Sequence, residues 1–168
     1  MSGRKSERGP IVVSACLLGR PCRFDGKDKF TPELAFLLEG RNVTAVCPEE
    51  LGGLGTPRAA CQLQNGDGTD VLEGNARVIS VDGIDRTQAF LSGATAALEH
   101  ALAAGAREAI LKESSPSCGV TRVYRDGALQ SGQGVFAALL SRHGIRVTEE
   151  TRTKGPKKVN RVPPRKTR

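Results

Sequence analysis

Five cysteines, at positions 16, 22, 47, 61 and 118, are the side chains best equipped for chemistry in this chain. Their number is odd, and 168 residues suffice to build a core without disulfide staples. The thiols therefore read as reduced and chemically used rather than paired. Their spacing fits no common zinc ribbon: there is no Cys-x-x-Cys, and five residues separate Cys16 from Cys22. Bacterial ferredoxin spacing is absent as well.

The elements around these residues bring three of them together. Ile11–Ala15 is a short β-branched run with the pattern of a buried strand, and Cys16 follows it directly. Asn42–Val46 reads as a second strand, and Cys47 follows that. Glu108–Lys112 reads as another, with Cys118 six residues beyond its end. Between them, Pro32–Gly40 and Arg86–Ala104 have helical periodicity. The second opens with Asp85-x-x-Gln88, the pattern of a capping box, and places Phe90, Ala94, Ala97, Leu98, Ala101 and Leu102 on one face. A further strand is expected over Ala76–Val81, and Arg122–Leu129 reads as a hairpin around Asp126-Gly127. A last helix over Gly134–His143 precedes a short strand at Ile145–Val147. Pro48–Gly74, with six glycines, reads as one long functional loop. Alternating strands and helices predict an α/β fold, a single three-layer domain with a largely parallel sheet. Its site is expected at the carboxyl ends of the strands. If the strands are parallel, Cys16, Cys47 and Cys118 emerge on one edge. Three thiols there could hold a soft metal and leave one coordination position open. Alternatively, they are buried as small apolar residues.

The motifs carry a resemblance. Val13-Ser14-Ala15-Cys16-Leu17-Leu18-Gly19 and Cys22-Arg23-Phe24-Asp25-Gly26 resemble the opening of the thiouracil desulfidase family. Val46-Cys47-Pro48-Glu49, Gly52-Gly53-Leu54 and Thr56-Pro57-Arg58 resemble its second block. Leu111-Lys112, Ser115-Pro116-Ser117-Cys118-Gly119, Tyr124-x-Asp126-Gly127 and Gly132-x-Gly134 resemble its third, so that the likeness spans residues 11–148. It implies an iron–sulfur desulfidase that removes sulfur from a thiolated pyrimidine such as 2-thiouracil and releases sulfide. It also implies an oxygen-sensitive [4Fe-4S] cluster with one iron not ligated by protein, held by Cys16, Cys47 and Cys118, with Cys22 as a non-ligand. Glu49 becomes the expected general acid/base, and Ser115 and Ser117 the hydroxyls that orient substrate or water. Arg58 is expected to anchor an anion or carbonyl oxygen, or to form a structural ion pair. Cys61-Gln62 departs from the family's alanine and glutamate. The competing reading is a non-enzymatic metal-binding or redox-sensing module with a four-cysteine site completed by Cys22.

Charge narrows the partners. The chain carries 25 basic and 18 acidic residues, a net charge of +7. Eight of the basic residues and no acid fall in residues 151–168, so residues 1–150 are nearly neutral. That tail reads as a basic disordered extension, and residues 1–9 as a flexible start to a domain over 10–150. A tail of this charge can touch a polyanion weakly or simply solubilise the chain. No apolar run approaches a membrane span, and no signal-peptide pattern follows Met1, so a cytoplasmic protein acting on a small thiolated molecule is expected.

Overall fold

The computed structural model of the protein describes residues 8–153. Most of the flexible start expected over residues 1–9 and of the basic tail expected over 151–168 lies outside the described residues, although Glu150–Thr153 form a short 3-10 turn.

The expected parallel sheet is present. Its strands β1 (Ile11–Ser14), β2 (Val43–Val46), β5 (Glu108–Leu111) and β8 (Arg146–Glu149) lie in the order β2-β1-β5-β8, all parallel. Both faces of the central strand are buried, which explains its unbroken apolar run. Successive side chains point to opposite faces of a sheet. Val12, Ala109 and Leu111 pack on one side with α4 (Thr87–Ala103) and α5 (Val135–Arg142), through Phe90, Ala97, Phe136 and Leu140. Ile11, Val13 and Ile110 pack on the other side with Leu17 and with Leu34 and Leu38 of α1 (Leu34–Leu38).

A second sheet was not legible in the sequence. It has the order β4-β3-β6-β7, from β3 (Cys61–Gln64), β4 (Arg77–Ser80), β6 (Arg122–Arg125) and β7 (Ala128–Ser131). Here β3 pairs antiparallel with β4 and parallel with β6, and β6 and β7 form the expected hairpin. Asp126 and Gly127 both take positive φ in its turn, which an Asp-Gly pair tolerates. The stretch expected as one loop thus holds α2 (Pro48–Leu51), β3 and α3 (Gly68–Leu72). Only Leu63 of β3 is fully buried, so that strand lacks an apolar signature. Helix α3 is capped by Asp67 and Asp70, an all-aspartate version of the capping box.

Two expectations for α4 fail in detail. Asp85 Oδ1 accepts the Thr87 N–H at 2.9 Å, but the Gln88 amide turns to Ser92 instead of reaching back. Leu102 lies outside the buried face and is exposed, while Phe90, Ala94, Ala97, Leu98 and Ala101 are buried as expected.

Helices α2 and α4 cross at two glycines. A Cβ on Gly93 would lie 1.9 Å from the Pro48 carbonyl oxygen, and one on Gly52 would lie 2.1 Å from that of Ala89. Neither backbone oxygen can move aside cheaply. The close approach fixes α2, which begins immediately after Cys47 and carries Glu49. Gly93→Ala is expected to destabilise the domain by about 2–3 kcal/mol in denaturant titrations, in the overpacking range. The exposed Ser92→Ala should change it by less than about 0.5 kcal/mol.

Candidate functional site

The carboxyl ends of β1, β2 and β5 stop at a common level, since Ser14 pairs with Val46 and Val13 with Ile110. Beyond them opens a cavity of about 560 Å³. Its wall includes Cys16, Cys47 and Cys118 together with Glu49, Ser115 and Ser117, so every residue singled out from the sequence faces one space. It also includes Cys22 and Cys61, so all five thiols meet there, and all are free. Among the described residues no helix is long and apolar enough to cross a membrane.

Each thiol is placed by local backbone. Cys16 lies in a 3-10 turn, Ala15–Leu18, that Gly19 closes in the left-handed region. Cys47 is the N-cap of α2, with Pro48 at the first helical position. Cys22 is buried beside both: its thiol is hydrogen-bonded to Cys16 and to Cys47, and its carbonyl faces the Cys47 Sγ at 3.6 Å. Cys118 sits in the turn after β5. Ser115 Oγ accepts the N–H of Ser117 (3.2 Å) and of Cys118 (3.1 Å), which leaves its own hydroxyl proton to donate. Helix α5 grips the same turn. Its first N–H groups, on Val135, Phe136 and Ala137, donate to the carbonyls of Pro116 and Ser117. Gly134 permits that approach, for a Cβ there would lie 2.4 Å from the Ser117 carbonyl.

Ser14 links the strand ends. Its buried Oγ accepts the Lys112 N–H at 3.0 Å and meets the Cys118 thiol.

Cys22, Cys47, Cys61 and Cys118 are held neutral. The hydrogen bond to Cys16 and then burial push Cys22 up to about 11, against a lowering contact from Cys47. The hydrogen bond to Cys22, with burial, raises Cys47 strongly. Burial raises Cys118 against the opposing bond from Ser14, and burial and the nearby charge of Glu49 push Cys61 up to about 11. Such thiols become ligands when a cation displaces their protons. The Ser117 hydroxyl, also buried, makes no hydrogen bond within the protein.

Glu49 is both a first-turn acid of α2 and a cavity residue. Its Oε2 accepts from Arg58 Nη2 at 2.5 Å, with both side chains largely buried. Burial disfavours the Arg58 charge, but the charge and hydrogen bond of Glu49 prevail and raise the guanidinium above its ordinary value. Arg58 also donates to the Cys22 carbonyl at 2.9 Å and to Thr56 Oγ1 at 3.0 Å. Gln62, where a carboxylate was expected from the family pattern, accepts the Gly127 N–H at 2.8 Å and ties β3 to the hairpin turn. A side-chain carbonyl serves there as an acceptor.

Sequence reasoning missed two carboxylates behind the site. Glu150 ion-pairs with Lys112 at 3.3 Å, and its Oε2 accepts the Glu113 N–H at 2.7 Å. Glu113 clasps the turn that holds Cys118: its carboxylate accepts the N–H groups of Val120, Thr121 and Arg122 and the Thr121 hydroxyl. The acid at the end of β5 carried only a weak signal, a charged residue following an apolar strand.

The sequence profile of the 2-thiouracil desulfurase family matches residues 11–152. The chain is 39% identical over 143 residues to the uncharacterized protein YbbK of Bacillus subtilis (strain 168), covering 83% of this chain and 95% of that one. It is similar to the solved structure of the [4Fe-4S]-dependent thiouracil desulfidase TudS, with a TM-score of 0.74 and 42% identity. That match covers 86% of this chain and 92% of the other.

Burial raises the Glu113 pKa, but its hydrogen bonds outweigh burial and leave it below the usual carboxylate range. A depressed folded value adds stability that is present above the unfolded pKa of about 4.3 and is lost as pH falls through the folded value. Glu113→Gln, whose amide nitrogen cannot accept, should lower stability at pH 7 by about 1–2 kcal/mol. This is the low end for bonds to a charged group, because the side chain is partly open to solvent. The gap from the parent should close as pH falls through the acidic range, measured by thermal melts across a pH series.

Proposed function

The chain belongs to the 2-thiouracil desulfurase family, and on that premise we propose that it is an iron–sulfur enzyme that converts a thiolated pyrimidine and water into the oxo pyrimidine and hydrogen sulfide. The observation that carries this reading is the convergence of buried thiols, the Glu49–Arg58 pair and an unpartnered Ser117 hydroxyl on one cavity.

The residues present suit the cofactor. Soft thiolates are the donors that iron–sulfur clusters take, and the cavity wall offers them from three separate loops. Cys16, Cys47 and Cys118 would hold a [4Fe-4S] cluster with one iron left without a protein ligand. When bound, the cluster supplies an open iron position that accepts the sulfur of a C=S group. Net exchange of C=S for C=O consumes one water and transfers no electrons.

The protein's own groups handle protons and orientation. Glu49 would take the proton from the incoming water and return it to the departing sulfur or to a ring nitrogen. Arg58 fixes the carboxylate and balances its charge inside the cavity. The Ser115 hydroxyl, already accepting two N–H groups, has its proton free to donate to a substrate oxygen or sulfur. Ser117 offers a second buried hydroxyl. Phe24 and Tyr124 line the opening with partly exposed rings suited to a flat heterocycle. Unpaired thiols and an oxygen-sensitive cluster suit the reducing cytoplasm.

The competing module would have Cys22 complete a four-thiolate site without turnover. The test is anaerobic reconstitution, followed by iron, labile sulfide, the visible absorption band and sulfide release from 2-thiouracil. Cys16→Ala, Cys47→Ala and Cys118→Ala should each abolish the cluster, and Cys22→Ala should retain it. Glu49→Gln should keep the cluster and lose turnover by about 10²-fold or more. A loaded protein that leaves the substrate intact would overturn the enzymatic reading.

A further inference from the structure

We propose that the cluster-free chain contains a binding site for a single thiophilic divalent cation of the zinc class, built from Cys22, Cys47 and Glu50. The site shares Cys47 with the trio assigned to the cluster, and its competition with iron uptake rests on that proposed function. One sulfur from Cys22, one from Cys47 and one carboxylate oxygen of Glu50 all lie within 4.8 Å of one another.

The spacing selects the occupant. Around one tetrahedral zinc, with bonds of about 2.3 Å to sulfur and about 2.1 Å to oxygen, neighbouring donors sit about 3.5–3.8 Å apart. The three donors are therefore within a small rotamer adjustment of a shared ion. Cys22 stands outside the trio that would hold the cluster, and its sulfur lies within 4.8 Å of that of Cys47. Cys22 is thus the surplus thiol of the cavity, and its neighbour Cys47 is the residue both sites would share.

The surroundings suit a cation. Cys22 and Cys47 are buried, and Glu50 follows in α2, two residues past Pro48. Glu50 Oε1 is buried without a hydrogen bond; Arg20 Nη2 lies 3.3 Å away in a largely exposed ion pair that does not satisfy it directionally. Two thiolates and one carboxylate form a mixed soft and hard set that zinc accepts, with a fourth position left for water or for Cys16, whose thiol already reaches Cys22. An ion held here withholds Cys47 from cluster assembly, so the cavity would discriminate between two inorganic loads.

The test uses the full chain, reduced and cluster-free under anaerobic conditions, titrated with Co²⁺ as a spectroscopic probe and then with Zn²⁺. The expected result is one equivalent of Co²⁺ with tetrahedral d–d bands and sulfur charge transfer, displaced by Zn²⁺. Cys22→Ser and Glu50→Gln should each weaken binding about tenfold or more, while Cys118→Ser leaves it unchanged. Cys22→Ser should still take up iron and labile sulfide on reconstitution, whereas the zinc-loaded parent should take up less iron. An octahedral spectrum without charge transfer, or equal losses from Cys118→Ser and Cys22→Ser, would overturn the proposal. So would unimpaired iron uptake by the zinc-loaded chain.

Discussion

Three parallel strands ending at one level are the constraint on which the rest of this protein depends. The β1 register, with Ser14 opposite Val46 and Val13 opposite Ile110, delivers Cys16, Cys47 and the Cys118 turn to a single edge. A slip of one residue would send every side chain of a strand to the opposite face and break the alternation of Val12 against Ile11 and Val13. Burial on both faces of β1 therefore fixes the strand end that Cys16 follows. Ser14 tightens the arrangement, since one buried hydroxyl accepts from the end of β5 and touches Cys118. A single atom thus ties the first strand to the most distant thiol in the sequence.

Electrostatics shape the thiol wall of the cavity. Buried thiolates crowded together would repel one another in a medium of low dielectric, and the thiols respond by holding their protons, with pKa values raised by burial and mutual hydrogen bonds. In the wall Glu49 pairs with Arg58, whose guanidinium also donates to Thr56, Gly55 and the Cys22 carbonyl. A buried pair so arranged contributes little net stability, yet losing either member leaves an uncompensated charge costing about 3–5 kcal/mol. The value of the pair lies in fixing a carboxylate among the thiols at neutral pH.

The parts that could be read from the sequence were those governed by local rules. β-branched runs gave the main sheet, Asp126-Gly127 gave the hairpin, and the alanine-rich face of α4 gave most of its buried stripe. The cavity residues were legible because each follows a strand end or stands in a recognisable motif. What escaped depends on tertiary pairing. Cys61–Gln64 is polar and short, and becomes a strand only because β4 and β6 flank it. Gln88 had an alternative partner in Ser92, which no capping rule anticipates. Glu113 and Glu150 are far apart in sequence and meet because β5 and β8 are neighbours, so their clasp on the Cys118 turn leaves only the weak signal of an acid after an apolar strand.

The two sheets divide the work, and this division follows from their construction. The central strand β1 of the parallel sheet is buried on both faces, so it suits groups whose mutual distances must be held. The mixed sheet presents Cys61, Gln62, Tyr124 and Gly127 to the same cavity from a more exposed layer, with Tyr124 about half open to solvent. Residues there can change size and polarity without disturbing the register that places Cys16, Cys47 and Cys118. Gln62 illustrates it: a neutral side chain on the cavity wall accepts the hydrogen bond from the hairpin turn. Variation in the second sheet can therefore reshape one wall of the cavity, while the Glu49–Arg58 pair, carried on the segment that joins the two sheets, stands beside the thiols.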